Sequence, residues 1–256
     1  NPSGSMMATW AYEYDSYPAQ SVDSSSFGRN VINPIYGEDV YVGYRYFETF
    51  APEEVRYEFG YGLSYTSFDY EVTSSDITDD EISFDVTVTN TGDYSGKEVV
   101  QAYYQAPIAA LGKPAYEMAA FAKTPELAPG ESCTVTLSYH TEDMASYDDS
   151  GVTEHENCYV MEAGDYKLYV GTTVKELQSA GTYTLNETKV TEELSEVLAP
   201  TFAFTVANAA LDDEGNYTLT MNKAALRSAD NHIEDKWDTD LAAYDLTGED
   251  KGILLG

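Results

Sequence analysis

The chain has 256 residues, of which 13 are basic and 45 are acidic, so its formal net charge at pH 7 is −32. This charge argues against nucleic acid as a partner, because a phosphate backbone is bound by clustered lysines and arginines, and it disfavours anionic membrane surfaces. Hydrophobic residues make up 43% of the chain, which excludes a disordered acidic tail and suffices for a sizeable core. No apolar run reaches the ~18 residues of a membrane-spanning helix.

The first sixty residues are rich in Tyr, Ser, Pro and Gly and show little periodicity. They predict irregular structure with a few short strands, one of them at 39–47. The whole chain has 23 Tyr against 9 Phe and 2 Trp. Tyrosine suits half-buried strands and wet interfaces, and a Tyr-rich, Lys-poor composition is consistent with an extracellular or cell-surface location.

The middle of the chain predicts an antiparallel β-sandwich. At 81–90, apolar side chains alternate with polar ones, which is the period of two expected of a strand with one buried face. About seven short strands, spaced roughly 8–12 residues apart by turn signals, indicate an all-β sandwich of the immunoglobulin or fibronectin type III kind. Further predicted strands lie at 97–107, 115–124, 131–139, 158–161 and 166–173.

The C-terminal part has a different pattern. Residues 191–198 predict a short helix with Thr191 as its N-cap. Two apolar segments flank a turn at 212–216 and predict a β-hairpin. From Arg227 onward the chain is polar and acidic, which is typical of a linker or an extended arm.

The histidines and cysteines do not point to a metal or a cofactor. His140, His155 and His232 have none of the spacings of a zinc site. Cys133 and Cys158 lack a CxxC partner and fall on predicted strands, so a structural role in the core is favoured over a disulfide. No cofactor, metal-binding or catalytic residue is therefore singled out in this chain.

Paired carboxylates are the remaining candidates for acid–base chemistry. With 45 acidic residues, such pairs arise everywhere and carry little information. The pairs at 79–80, 148–149 and 212–213 are interpreted as solvated surface charge, in preference to calcium ligands. The turn at 212–216 lacks the spacing of a calcium loop and is interpreted as a hairpin turn.

Three stretches carry a more specific signal: NPSG at 1–4, YVGYRYF at 41–47 and FGYGLSYTSF at 59–68. In this order they resemble the C-terminal region of glycoside hydrolase family 3, the β-glucosidase and β-xylosidase family. The resemblance continues through the sandwich and covers about residues 1–185. It implies that 1–60 is the tail of an α/β sandwich domain with a connector and that 61–185 is a fibronectin type III-like domain. Residues 186–256 would then form a short helix, a hairpin and an acidic linker.

The resemblance also implies what this chain lacks. In the family, the nucleophilic Asp lies on a (β/α)8-type barrel, and the general acid/base, usually a Glu, lies upstream of the NPSG segment. Both positions fall outside this chain, so it is expected to be inactive alone. Its expected partners are the remaining catalytic domains of a parent hydrolase that acts on a β-linked oligosaccharide.

The sequence departs from the family pattern at two places. Ser5, Met6 and Met7 replace the usual K-L-P after NPSG. The extension beyond 185 is similar to the connector of bacterial members with a permuted order, in which the barrel comes last. A conventional order with a C-terminal extension is the alternative.

Two other functions remain open. The chain could be an independent carbohydrate-binding module, although Trp10 and Trp237 lie outside the sandwich. It could also be a cell-surface interaction protein, which only its fold class and acidity favour. The tyrosines that would form a sugar platform on the sandwich are Tyr103, Tyr104, Tyr139 and Tyr159.

Overall fold

The structure is a computed structural model that describes residues 4–18, 36–195 and 204–223. Strands are the main regular structure among these residues, and an α-helix, α1, spans Tyr44–Phe50. Among the described residues, no helix is long and apolar enough to cross a membrane. His232, Trp237 and the predicted arm at 227–256 lie outside the described residues. The strands are β1 Trp10–Ala11, β2 Val55–Tyr57, β3 Phe68–Ile77, β4 Glu81–Asn90, β5 Val99–Gln105, β6 Glu117–Lys123, β7 Ser132–His140, β8 Ser146–Asp148, β9 Cys158–Met161, β10 Gly164–Gly171, β11 Leu177–Leu185, β12 Lys189–Glu193, β13 Thr205–Leu211 and β14 Tyr217–Lys223.

Two antiparallel sheets form the predicted sandwich. One has the strand order β3-β4-β7 and the other β11-β10-β5-β6. Ile82 lies opposite Tyr139 and Phe84 opposite Leu137, so the apolar residues of β4 and β7 share one face. The predicted all-β antiparallel sandwich is confirmed. Its fully buried side chains include Ile82, Phe84, Val86, Val88, Val100, Ala102, Leu168 and Val170.

Within residues 61–185, the sequence pattern does not predict strands β3, β8 and β11. In β3 the alternation is lost at a bulge between Val72 and Ser74, where the extra residue shifts the following side chains to the other face. β11 carries few large apolar residues and turns Ala180 and Tyr183 toward the core. Pairing with a neighbouring strand, and not local hydrophobicity, defines these segments.

The predicted strand at 39–47 is wrong, because helix α1 begins at Tyr44. Gly43 precedes it with a φ of 57°, a left-handed conformation in which glycine has no steric penalty. In this helix the ring of Tyr46 contacts the rings of both Phe47 and Phe50. Aromatic residues favour strands locally, and burial of this aromatic face overrides that preference.

The predicted helix at 191–198 is also wrong in its described part. Thr191 lies in β12, which pairs with β9 in a three-stranded sheet of order β12-β9-β8. Its hydroxyl donates a hydrogen bond to the Tyr159 carbonyl (3.3 Å) and caps no helix. Strand pairing therefore outweighs the local capping signal, and residues 196–203 lie outside the described part.

The predicted hairpin is confirmed as β13 and β14, which pair from Thr205 opposite Lys223 to Leu211 opposite Tyr217. It packs on the N-terminal part of the chain, since Ala209 N–H donates to the Tyr41 hydroxyl (2.8 Å). The two segments share a second hydrophobic core, here called the terminal cluster. Its buried members are Tyr41, Tyr46, Phe47, Val55, Ala207 and Ala209.

The stretches at 4–12 and 55–65 run antiparallel and form a structure here called the N-terminal ribbon. Gly4 N–H donates to the Leu63 carbonyl (3.0 Å), and Met6 N–H donates to the Tyr61 carbonyl (2.9 Å). A Cβ on Gly62 would lie 2.1 Å from the Gly4 carbonyl oxygen, so the close approach requires glycine there. Two of the motifs behind the family resemblance are thus partners in one structure.

Candidate functional site

The histidines within the described residues are not gathered into a site. His140 is exposed at the end of β7, and His155 is half-buried in the loop before β9. Across residues 4–18, 36–195 and 204–223, no three His, Cys, Asp or Glu side chains are placed to hold a metal ion.

Both cysteines are free thiols. Cys133 packs partly buried against the sandwich core, and Cys158 is buried on β9. Burial raises the pKa of each thiol, and the carboxylates of Glu131 and Glu193 raise them further. A protonated thiol is a poor nucleophile, so the interpretation as packing residues agrees with the structure.

The interpretation of the acidic pair at 148–149 as surface charge is wrong for Asp148. Its residue is fully buried, and its carboxylate accepts hydrogen bonds from the backbone N–H groups of Ser150, Gly151, Val152 and Thr153. The hydroxyls of Ser150 and Thr153 donate two more. Burial alone would raise the pKa of Asp148, but these hydrogen bonds outweigh it and lower the pKa. Asp148 thus anchors the loop between β8 and β9.

The predicted tyrosine platform for sugar is wrong at three of its four positions. Tyr103, Tyr104 and Tyr139 are buried in the sandwich. A side chain inside the core cannot stack on a ligand, and burial raises the pKa of each of these phenols. Only Tyr159 is exposed, with its ring 5.5 Å from that of Tyr147. It borders an open groove lined by Glu142, Asp143, Ala145, Thr191 and Glu192.

The N-terminal ribbon presents several exposed apolar side chains, which are here called the ribbon surface. Tyr65 is 94% exposed and Met7 is 91% exposed. Both belong to segments held in place by the backbone pairing of the ribbon, so their exposure is not that of a free end. The ribbon surface consists of Met7, Trp10, Tyr12, Leu63 and Tyr65.

The ribbon is stiffened by aromatic contacts beside this surface. The rings of Tyr57 and Tyr61 stack at 5.1 Å, and the Arg56 guanidinium lies 5.4 Å from the Tyr57 ring centre. Within the described residues, Leu63 and Tyr65 are exposed, which leaves their apolar area uncovered.

Glu48 on α1 is a perturbed acid that the sequence pattern did not reveal. Burial raises the pKa of its carboxyl, an effect that Lys175 opposes and Glu58 reinforces. One carboxyl oxygen is buried without a hydrogen-bond partner among the described residues. A raised pKa is found in general acids, but desolvation by burial explains the raised pKa of Glu48, and glycoside hydrolysis requires a second carboxyl group across the scissile bond.

Lys113 lies buried where the sandwich, α1 and the hairpin meet. It is 1% exposed, and its ammonium has no hydrogen-bond partner within the described parts of the chain. Burial lowers the pKa of Lys113, while the carboxylates of Glu162 and Glu117 oppose that shift. The neighbouring Ala115 N–H donates to the Thr49 hydroxyl (2.8 Å), which fixes the loop to α1.

Comparisons with known proteins agree with this architecture. The family model described as "Fibronectin type III-like domain" matches residues 98–174, within the sandwich. A β-glucosidase of Ruminococcus albus is 44% identical over 204 residues, which are 80% of this chain and 21% of that protein. The chain thus spans about a fifth of the length of this curated relative.

Solved structures show the same relation. The β-glucosidase of Paenibacillus barengoltzii superposes with a TM-score of 0.82 at 43% identity, over 89% of this chain and 25% of that one. The GH3 β-glucosidase of Bifidobacterium adolescentis has a TM-score of 0.62 at 30% identity, over 72% of this chain and 26% of that one. The predicted resemblance to the C-terminal region of a glycoside hydrolase family 3 enzyme is therefore confirmed: the chain is similar to the region of these β-glucosidases that contains the fibronectin type III-like domain.

Proposed function

We propose that this chain is the non-catalytic support portion of a longer β-glucosidase-type hydrolase. The ribbon surface carries the proposal, because it combines large exposed apolar side chains with a backbone fixed by pairing. The relatives supply the context, since the chain corresponds to only 21–26% of the first relatives' length. On this proposal, 1–60 closes an α/β sandwich domain, 61–185 is the fibronectin type III-like domain and 186–256 is a connector.

The energetics of the ribbon surface favour a covered state. Burying a large apolar side chain stabilises by about 1.5–3 kcal/mol, and Tyr, Trp and Met are enriched at protein interfaces. Trp10, Tyr12 and Tyr65 can also keep a polar edge in water while the ring is covered. The ribbon is therefore suited to contact another domain of the same enzyme.

The test of docking uses the longer polypeptide, obtained from the complete reading frame. Tyr65→Ala is expected to lower the melting temperature of that polypeptide and to leave that of the chain alone unchanged, because the ring loses contacts only in the larger protein. Tyr94→Ala is the matched control, since Tyr94 is also an exposed tyrosine but lies in a sandwich turn. Equal effects of the two substitutions would contradict the docking role.

The same reading frame tests the domain order. A barrel encoded after Gly256 supports the permuted order, and a stop codon there supports the conventional order with an extension. The chain alone is expected to release no sugar from an aryl β-glucoside, because the family places both catalytic carboxyls elsewhere. Turnover above the buffer blank, retained after further purification, would contradict the non-catalytic assignment.

The second candidate function is carbohydrate binding at Tyr159. One observation favours it: an exposed tyrosine beside a second ring at an open groove with hydroxyl and carboxylate groups. Retention of the chain on insoluble glucan, lost on Tyr159→Ala and kept in Tyr94→Ala, would support it. Carbohydrate binding at Tyr159 is rejected if the two variants are retained equally, or if the wild-type chain is not retained on the glucan.

A further inference from the structure

Among the described residues, no strand pairs with the outer edge of β14. Asp212 N–H donates to the Asn216 carbonyl (2.9 Å), so this pair is hydrogen-bonded across the hairpin. Hydrogen-bonded pairs alternate along antiparallel strands, and the register therefore directs the backbone groups of Thr218 and Thr220 toward β13. Those of Leu219 and Met221 point away from β13, to the outer edge.

The two edges of the hairpin differ. On the β13 side, Ala207 N–H donates to the Gly37 carbonyl (2.6 Å) and Ala209 N–H donates to the Tyr41 hydroxyl (2.8 Å). On the β14 side, the outward backbone groups of Leu219 and Met221 have no partner among the described residues. The rate of amide hydrogen exchange at these two residues therefore depends on whether a segment outside the described residues covers the edge.

The side chains at this edge are apolar and only half covered. Ala209 lies opposite Leu219 and Ala207 opposite Met221, so all four side chains are on one face of the hairpin. The alanines are buried in the terminal cluster, while Leu219 is 38% exposed and Met221 is 42% exposed. A two-stranded hairpin is marginally stable in water, and a third strand would complete both the hydrogen bonding and the apolar face.

We propose that β14 receives an added β-strand from the part of the longer polypeptide that lies outside this chain. This inference rests on the proposed function. The relatives' remaining length, about four-fifths in Ruminococcus albus, supplies the segment. A second copy of the chain is the weaker occupant, because each copy carries a net charge of −32. The added strand is expected to place apolar side chains beside Leu219 and Met221, as in other cases of strand addition.

The test compares amide hydrogen exchange in the chain alone and in the longer polypeptide. The amides of Leu219 and Met221 are expected to exchange fast in the chain alone and at least about tenfold more slowly in the longer polypeptide. Leu219→Pro removes an outward N–H and no hairpin hydrogen bond, so it should abolish the added protection at Met221. Leu211→Pro is the matched control, because Leu211 is an exposed apolar residue of β13 whose N–H also points outward.

The outcomes separate this inference from the proposed function. If the longer polypeptide is an active hydrolase and both amides exchange as fast as in the chain alone, the added strand is rejected while the support role stands. Protection that rises with the concentration of the chain alone would show a second copy at the edge and overturns the proposed occupant. If no catalytic domain accompanies the chain in its reading frame, the support role itself fails.

Discussion

The sandwich core and the terminal cluster are built in opposite ways. The sandwich buries side chains from strands that follow one another between Phe68 and Leu185. The terminal cluster joins segments far apart in the chain: the hydrogen bond between Ala209 and Tyr41 links residues that are 168 positions apart in the sequence. It is also smaller and borders the exposed ribbon surface and the β14 edge. The sandwich core is therefore formed within one continuous part of the chain, whereas the terminal cluster depends on the docking of two distant segments.

The largest expected effect is in the sandwich. Phe84→Ala removes a fully buried ring from β4, and such truncations cost about 3–5 kcal/mol. The free energy of unfolding, measured in urea by circular dichroism, should fall by this amount in one cooperative transition. A loss below about 1 kcal/mol would show that the sandwich does not hold the chain together.

The matched truncation in the terminal cluster should act locally. Phe47→Ala also removes a fully buried ring, with an expected loss of about 3 kcal/mol in the stability of that cluster. Hydrogen exchange should accelerate at Ala207 and Ala209 and stay unchanged in β4. Equal acceleration in β4 would show that both cores unfold as one unit, which contradicts this prediction.

Asp148→Asn should weaken the loop between β8 and β9. The loss of charge-assisted hydrogen bonds is expected to cost about 2 kcal/mol. Because the pKa of Asp148 is lowered in the folded state, its contribution is present above the pKa of an unfolded aspartate and is lost as the pH falls through the folded value. Urea unfolding of wild type and variant at pH 7 and in acid checks this.

The urea unfolding curves of Asp148→Asn and wild type should converge in acid. Asp149→Asn, at the neighbouring exposed residue, is the control. A constant difference between wild type and Asp148→Asn at all pH values would contradict the role of the charge.

The smallest expected effect has the opposite sign. Lys113→Met replaces a buried ammonium that lacks a partner by an apolar side chain of similar length, and it should stabilise the chain by about 1 kcal/mol at pH 7. Since the pKa of Lys113 is lowered in the folded state, wild type gains stability as the pH rises through the folded value toward the unfolded one. The advantage of the variant should therefore shrink in alkali.

Thermal unfolding from pH 7 to 10 measures that difference for Lys113→Met. Lys97→Met, at an exposed lysine before β5, is the control. Destabilisation by Lys113→Met would show that the ammonium holds the junction of sandwich, α1 and hairpin together.

The candidate surfaces were harder to predict than the fold. Tyr103, Tyr104, Tyr139 and Tyr159 have the same residue type and similar strand contexts, yet only Tyr159 is exposed. Asp148 and Asp149 are adjacent and alike in sequence, and only the first is buried. Which side of a strand or loop faces the core depends on its neighbours in space, so composition could not separate these residues.

The sequence was enough to predict the sandwich and the resemblance to the family, because alternation with a period of two follows from the geometry of each strand and the motifs are contiguous. It also determined the hairpin, through its turn and flanking apolar segments. Tertiary structure alone decided helix α1, strand β12 and the terminal cluster, since each depends on contacts with segments distant along the chain. The free edge of β14 and the ribbon surface belong to the same class: they are defined by what packs beside them.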